Sequence, residues 1–204
     1  MRILRRVYDW LAQSDAPQSA DVIFVLAGRE SRKRLGFKMF DEGWAASLLL
    51  SVGRYEIRRF ADFDLPLATD LRTMAASIEP EQRHFFVKVS ARGVEANLIP
   101  IGRYGTWKEI LAFSQWLAEH DSVQTAMLVS SGFHLRRVHW CCSKLITGRT
   151  KLMFVAVPSE ATFNRDQWWG NALSRKLVLL ELIKVIMYPL LHATSCSELR
   201  SSGV

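Results

Sequence analysis

Asp21-Val22-Ile23-Phe24-Val25-Leu26-Ala27-Gly28-Arg29 is the stretch that decides the fold. Its first six residues are almost wholly apolar, as a strand covered on both faces requires. Ala27-Gly28 makes a small-residue turn, and a helix is expected from there to about residue 42. Gly43 stands where a helix C-cap belongs. Upstream, residues 3–12 read as a short amphipathic helix. Downstream, residues 45–52 read as a second strand ended by Gly53, and residues 84–89 as a third. Residues 94–101 are a further strand or an extended connection. Residues 124–129 and 151–157 are strands, the latter closed by Pro158. Residues 62–80 are less regular, with one helix expected within residues 67–77.

The intervening segments are helical. Thr106 and Glu109 have the spacing of a capping box, so a helix should start at Thr106 with Ile110, Leu111, Phe113 and Leu117 on its apolar side. Beyond His134, Leu135, Val138, Cys142 and Leu145 share one helix face. The stretch 177–191 reads as a buried core helix, and residues 193–204 as a flexible tail. Strands alternating with amphipathic helices are the signature of βαβ units. The expectation is one α/β domain over residues 1–204: three-layer αβα, Rossmann-like, with a mainly parallel open sheet.

Composition narrows the classes. The chain has 204 residues, 49 % hydrophobic and 23 % charged, which are ordinary globular proportions and exclude a disordered or fibrous chain. A formal net charge of +7 suits partners that carry negative charge. The three cysteines include the adjacent pair Cys141 and Cys142, which disulfide geometry disfavours, and no pair has metal-ligand spacing. They read as reduced thiols, with Cys141 and Cys142 packing on a helix, and the expected compartment is the cytoplasm. No signal peptide or N-terminal anchor is expected. The apolar stretch 177–191 contains Glu181 and Lys184 and falls short of the roughly 20 residues that span a bilayer. That leaves peripheral membrane contact open.

Ligands of an open α/β sheet bind beyond the carboxyl ends of its strands. Gly28, Arg29 and Ser31 follow the first strand, and Ser51, Gly53 and Arg54 close the second. Arg103, Gly105 and Thr106 precede the middle helix, with Glu109 one turn on. Ser130, Ser131, Gly132 and His134 follow the next strand, with Arg137 beyond them. Ser159 and Glu160 follow the last. Small residues admit a ligand to the backbone, helix N-termini offer unpaired N–H groups, and arginine supplies a donor fork for phosphate or carboxylate. The convergence points to an anionic ligand held by Arg29, Arg54, Arg103 and Arg137. His134 is the candidate acid–base group, since its ordinary pKa is near neutrality, and Glu160 is a candidate to orient it or act as a base. Bland roles compete: Gly28 and Gly53 as turn residues, Thr106 and Glu109 as a helix cap, His134 as a structural donor. There is no nucleophile elbow, P-loop or metal cluster.

These residues resemble the bacterial YdcF/SanA/ElyC family, a domain family of unknown function. The strand with Ala27-Gly28 and the following arginine is similar to the family's opening, and Ser51 with Gly53 to its Ser-Gly after the second strand. Thr106 with Glu109 resembles its Thr–Glu helix start. Ser130 to His134 with Arg137 matches its His-x-x-Arg signature, and Glu181 with Lys184 its terminal Glu-x-x-Lys. The resemblance covers residues 16–190 and is to the soluble YdcF type. Ala27 replaces a family glycine, and the acid of the helix start is one place late, without its asparagine. The resemblance implies a Rossmann-like fold, and either a role in cell-envelope metabolism or S-adenosylmethionine as a ligand. The Gly-x-Gly-x-Gly loop of methyltransferases is absent, so methyl transfer is not expected. Phosphoester or phosphoanhydride hydrolysis is the reaction expected, if there is one. The alternatives are a nucleic-acid binder using residues 54–60, and an interaction protein using Trp168, Trp169 and the C-terminal helix.

Overall fold

The structure is a computed structural model. It describes residues 2–54, 56, 76–99, 105–158 and 165–201, and of residues 81 and 191–201 the backbone alone. In chain order the elements are α1 (Arg2–Leu11), β1 (Ala20–Val25), α2 (Glu30–Asp41), β2 (Ala45–Val52), β3 (Phe85–Ser90), β4 (Gly93–Leu98), α3 (Gly105–Ala118), β5 (Thr125–Ser131), a 3-10 turn (Gly132–His134), α4 (Leu135–Leu145), β6 (Lys151–Val157) and α5 (Ala172–Ser201). The helix expected within residues 67–77 falls almost wholly outside the described residues. α5 runs through most of the stretch read as a tail.

The six strands form one sheet in the order β4-β3-β2-β1-β5-β6. β2, β1, β5 and β6 are parallel. β3 and β4 form an antiparallel hairpin added to the β2 edge. Only Ala91 and Arg92 separate those two strands, and so short a link can join only antiparallel neighbours. Gly93 follows them at φ +124°, a conformation that favours glycine.

Alternation along the strands divides the core. Val22, Phe24 and Leu26 face α3 and α4, with Phe24 stacked on Phe113 at 4.0 Å between ring centroids. Ile23 and Val25 face α2 and pack with Met39, Leu48 and Leu50. This is the expected three-layer α/β arrangement. Cys141 and Cys142 are buried in the first layer, as packing residues should be, and burial pushes the Cys141 thiol up to about 12. A third cluster joins α1 to α5 through Tyr8, Leu11, Phe133, Trp168 and Val178. Trp168 is buried there and donates its indole N–H to the Leu4 carbonyl, so it covers α1 rather than offering a contact surface.

Two local features follow from sequence. α2 ends in a Schellman motif: Trp44 N donates to Met39 O, Gly43 N donates to Phe40 O, and Gly43 takes φ +78°. Along the free edge of β6, the chain after α1 is pinned to the strand. Asp15 N donates to Phe154 O (2.7 Å), Phe154 N to Asp15 Oδ2 (2.8 Å), and Ala156 N to Ser14 Oγ (2.9 Å).

Gly36 lets α2 lie close on the sheet, since a Cβ there would come within 2.4 Å of Val25 Cγ2. Gly36→Ala should therefore lose about 1–3 kcal/mol to overpacking, reduced by up to about 1 kcal/mol of gained helix propensity. Thermal unfolding should register a lower Tm, and an unchanged or higher Tm would contradict the packing.

Candidate functional site

β1 has β2 on one side and β5 on the other, so the connections from this part of the sheet diverge at the carboxyl ends of β1 and β5. That crevice is where an open α/β sheet takes its ligand. Ala27-Gly28 leaves β1 there, and Ser130-Ser131 ends β5. Arg32, in the first turns of α2, spans the two: its Nε donates to Ser131 Oγ at 3.1 Å and its Nη1 to the Ala27 carbonyl. Gly28 adopts φ +137°, and a Cβ on it would lie 2.8 Å from Arg32 Nη1. Both the turn and the guanidinium require glycine at this position.

Two carboxyl groups occupy the main-chain donors of this turn. Glu109, on α3, accepts from Ala27 N at 2.6 Å. Glu56, beyond β2, accepts from Gly28 N and pairs with the buried Lys33 ammonium. Lys33 also donates to the Leu26 carbonyl at 3.3 Å. Burial raises both carboxyl pKa values, opposed for Glu56 chiefly by Lys33 and for Glu109 by the Ala27 N–H. Burial likewise lowers that of Lys33, against the attraction of Glu56.

Two histidine–hydroxyl pairs flank the turn. Ser51 Oγ lies 2.7 Å from His84 Nε2 and is also hydrogen-bonded to Glu109. With the Ser51 proton given to the carboxylate, its oxygen accepts from His84 Nε2–H, which assigns the tautomer from the network. Burial, reinforced by Lys33, depresses the His84 pKa to about 4. On the other side, His134 lies 2.8 Å from Ser130 Oγ through Nδ1 and 3.2 Å from Thr106 Oγ1 through Nε2. Arg137 Nη1 donates to Thr106, so Thr106 passes its own proton to Nε2 and Nδ1–H goes to Ser130. Burial, then the Arg137 charge, pushes the His134 pKa well below 6.5. His134 is thus held neutral, not poised near neutrality as the sequence alone suggested.

The capping-box expectation is also corrected. α3 begins at Gly105, not Thr106. Thr106 is buried against His134 and Arg137, and Glu109 reaches across to β1 instead of back along its own helix. Arg137, expected to hold an anion from outside, directs its fork to Glu181 of α5, with Nε–Oε2 and Nη2–Oε1 both at 2.9 Å. Burial works against its charge, and Glu181 more than offsets that.

Of the residues read from the sequence, the structure gathers Gly28, Ser51, Gly53, Thr106, Glu109, Ser130, Ser131, His134 and Arg137 at this edge. Arg29 is half-buried at the N-cap position of α2, and Arg54 half-buried in the turn after Gly53. Arg103 and Glu160 lie outside the described residues. Sequence reasoning missed Arg32, Lys33, Glu56 and His84. A cavity of about 340 Å³ lies elsewhere, between α3 and the β3–β4 hairpin, lined by Phe86, Asn97, Lys108 and Trp116 among others, and holds none of these groups. Among the described residues no group of three or more His, Cys, Asp or Glu side chains is placed to hold a metal ion. In comparison with known proteins, the chain matches no family model, no curated protein and no solved structure.

Proposed function

We propose that this protein binds a small anionic ligand, phosphorylated, nucleotide-like or S-adenosylmethionine-like, at the carboxyl edge of its parallel sheet. One observation carries the reading: the Glu56 carboxylate sits on the Gly28 N–H and the Lys33 ammonium at the start of α2. A main-chain N–H, a buried ammonium and a helix N-terminus together make an anion site. A ligand phosphate or carboxylate takes the same two donors by displacing Glu56, whose own carboxyl is disfavoured by burial. Ser31 supports this. Its hydroxyl, in the first turn of α2, is buried with no partner among the described residues. The resemblance to the YdcF family is what adds cell-envelope metabolism and S-adenosylmethionine to the reading.

A second reading, as a hydrolase or transferase, rests on the 2.8 Å spacing of Ser130 and His134, but it requires the other tautomer of His134, with Nδ1 free to take the Ser130 proton. Both are buried, so in this conformation no substrate reaches them, and binding is the function the geometry supports best.

A thermal-shift panel of inorganic phosphate, nucleotides, nucleotide sugars, prenyl phosphates and S-adenosylmethionine tests the proposal. A ligand at about 100 times its Kd adds about 2.7 kcal/mol. Tm should rise by roughly 5–10 °C for a domain of this size. Arg29→Ala, at the N-cap position of α2 next to Gly28, should abolish the shift. No shift with any member of the panel overturns the reading.

A further inference from the structure

The C-terminal helix departs from its sequence reading. It was expected to be a buried core helix, but only one side of it is covered. Ser174, Val178, Glu181, Val185 and Tyr188 recur at alternating steps of four and three and face the domain. On the other side Leu179, Ile183, Ile186 and Leu190 are 50 %, 57 %, 62 % and 58 % exposed, with Leu180 and Met187 beside them. Eleven large hydrophobic residues are exposed among those described, and seven of them lie on this helix. Singly scattered apolar residues need no explanation, whereas a concentration on one face marks a surface that something covers. At about 100° per residue the apolar stripe is about 140° wide.

Charge says what covers it. Between Leu173 and Leu190 the charged residues are Arg175, Lys176, Glu181 and Lys184. The one acid, Glu181, is buried and engaged by Arg137 and Lys184. Arg175, Lys176 and Lys184 are exposed; by helical spacing Arg175 and Lys184 flank the two sides of the stripe and Lys176 lies in line with it, N-terminal to Leu179, so every exposed charge about the stripe is cationic. A second copy of the chain, docked face to face about a twofold axis, would bring cations against cations with no acid on the face to answer them. An anionic lipid surface offers both complements at once: hydrocarbon for the stripe and negative headgroups for the cations.

We infer that α5 docks this protein onto anionic membrane surfaces, lying in the interface with its Leu179–Leu190 stripe in the lipid and Arg175, Lys176 and Lys184 at the headgroups. Among the described residues no helix is long and apolar enough to cross a membrane, so the contact is along the surface. This proposal is independent of the ligand site.

Vesicle flotation of the full chain tests it, with phosphatidylcholine vesicles against vesicles containing about one third phosphatidylglycerol. The expected result is recovery with the anionic vesicles at least ten times that with the neutral ones, lost as salt rises to about 0.5 M. R175E/K176E, which changes only exposed side chains, should bring the anionic recovery down to the neutral level. I183S/I186S should do the same, with far-UV circular dichroism and Tm checking that the fold persists. Failure to float with anionic vesicles at low salt overturns the inference. So does a stable dimer by light scattering that I183S/I186S converts to monomer, since the face is then occupied by a second copy.

Discussion

Glu181→Ala lowers unfolding stability by about 3–5 kcal/mol, because it leaves the Arg137 guanidinium buried with no carboxylate to answer its charge. Arg137 and Glu181 side chains are each 8 % exposed and meet through two parallel hydrogen bonds. Lys184, the other partner of Glu181, is 45 % exposed and adds little, since water screens it. Arg137 also donates to Thr106 and, at 3.2 Å, to Tyr188, and it lies over the Tyr188 ring at 5.1 Å. Its displacement therefore reaches the His134 pair as well. Urea denaturation of the two proteins measures the difference at an unchanged m-value. A loss below about 1 kcal/mol would show that the pair is hydrated and not part of the core.

The second large effect is on acid stability. His84 is buried, with its pKa depressed from 6.5 to about 4. In the unfolded chain it takes a proton as pH falls through 6.5, and in the folded chain only near 4. Between those values the unfolded state binds more protons, so stability falls with falling pH. At about 1.4 kcal/mol per unit, the loss by pH 4 is about 3 kcal/mol. His134, also depressed, acts in the same direction. Glu56 and Glu109, with raised values, act oppositely above 4.5, so the His84 contribution is read as the difference between wild type and His84→Gln. That difference should be flat above pH 7 and should grow by about 3 kcal/mol in favour of the variant between pH 6.5 and 4. A pH-independent difference would mean that His84 titrates alike in the folded and unfolded chains, and that burial does not depress it.

The parallel sheet could be read from the sequence because strands such as β2 and β6 carry their own signal: a continuous apolar run ended by glycine or proline. The β3–β4 hairpin was half-read. Both apolar stretches were identified, but their direction depends on a two-residue link that periodicity does not show. The site was read where a loop residue is itself chemically distinctive, as with Ser130, His134 and Arg137. Arg32 and Lys33 were missed because two adjacent cations in a helix look like a solvated face. Yet they stand four and three residues before Gly36, as Met39 and Phe40 stand three and four after it, so helical spacing places both on the covered side. Glu109 was misread for a related reason. Thr106 and Glu109 satisfy a local rule, but the main-chain N–H that Glu109 reaches belongs to a residue 82 positions away. Glu56 and His84 had no local signal: Glu56 acquires its role only when β2 lies beside β1 and α2, and His84 only when β3 is paired with β2.

The pinning of Ser14 and Asp15 to β6 has a kinetic consequence. Those contacts join residues 139 to 142 positions apart, among the longest loop closures in the molecule. Closing such loops is entropically slow. β6 leaves the ribosome well after Ser14 and Asp15, so that segment must wait for it with its partners missing. Contact separation therefore leads us to expect the segment after α1 to dock last. Until that final step the outer edge of β6 presents unpaired main-chain groups. Ser14 and Asp15 then serve as the closing stitch that takes the nascent chain out of reach of other unfinished sheets.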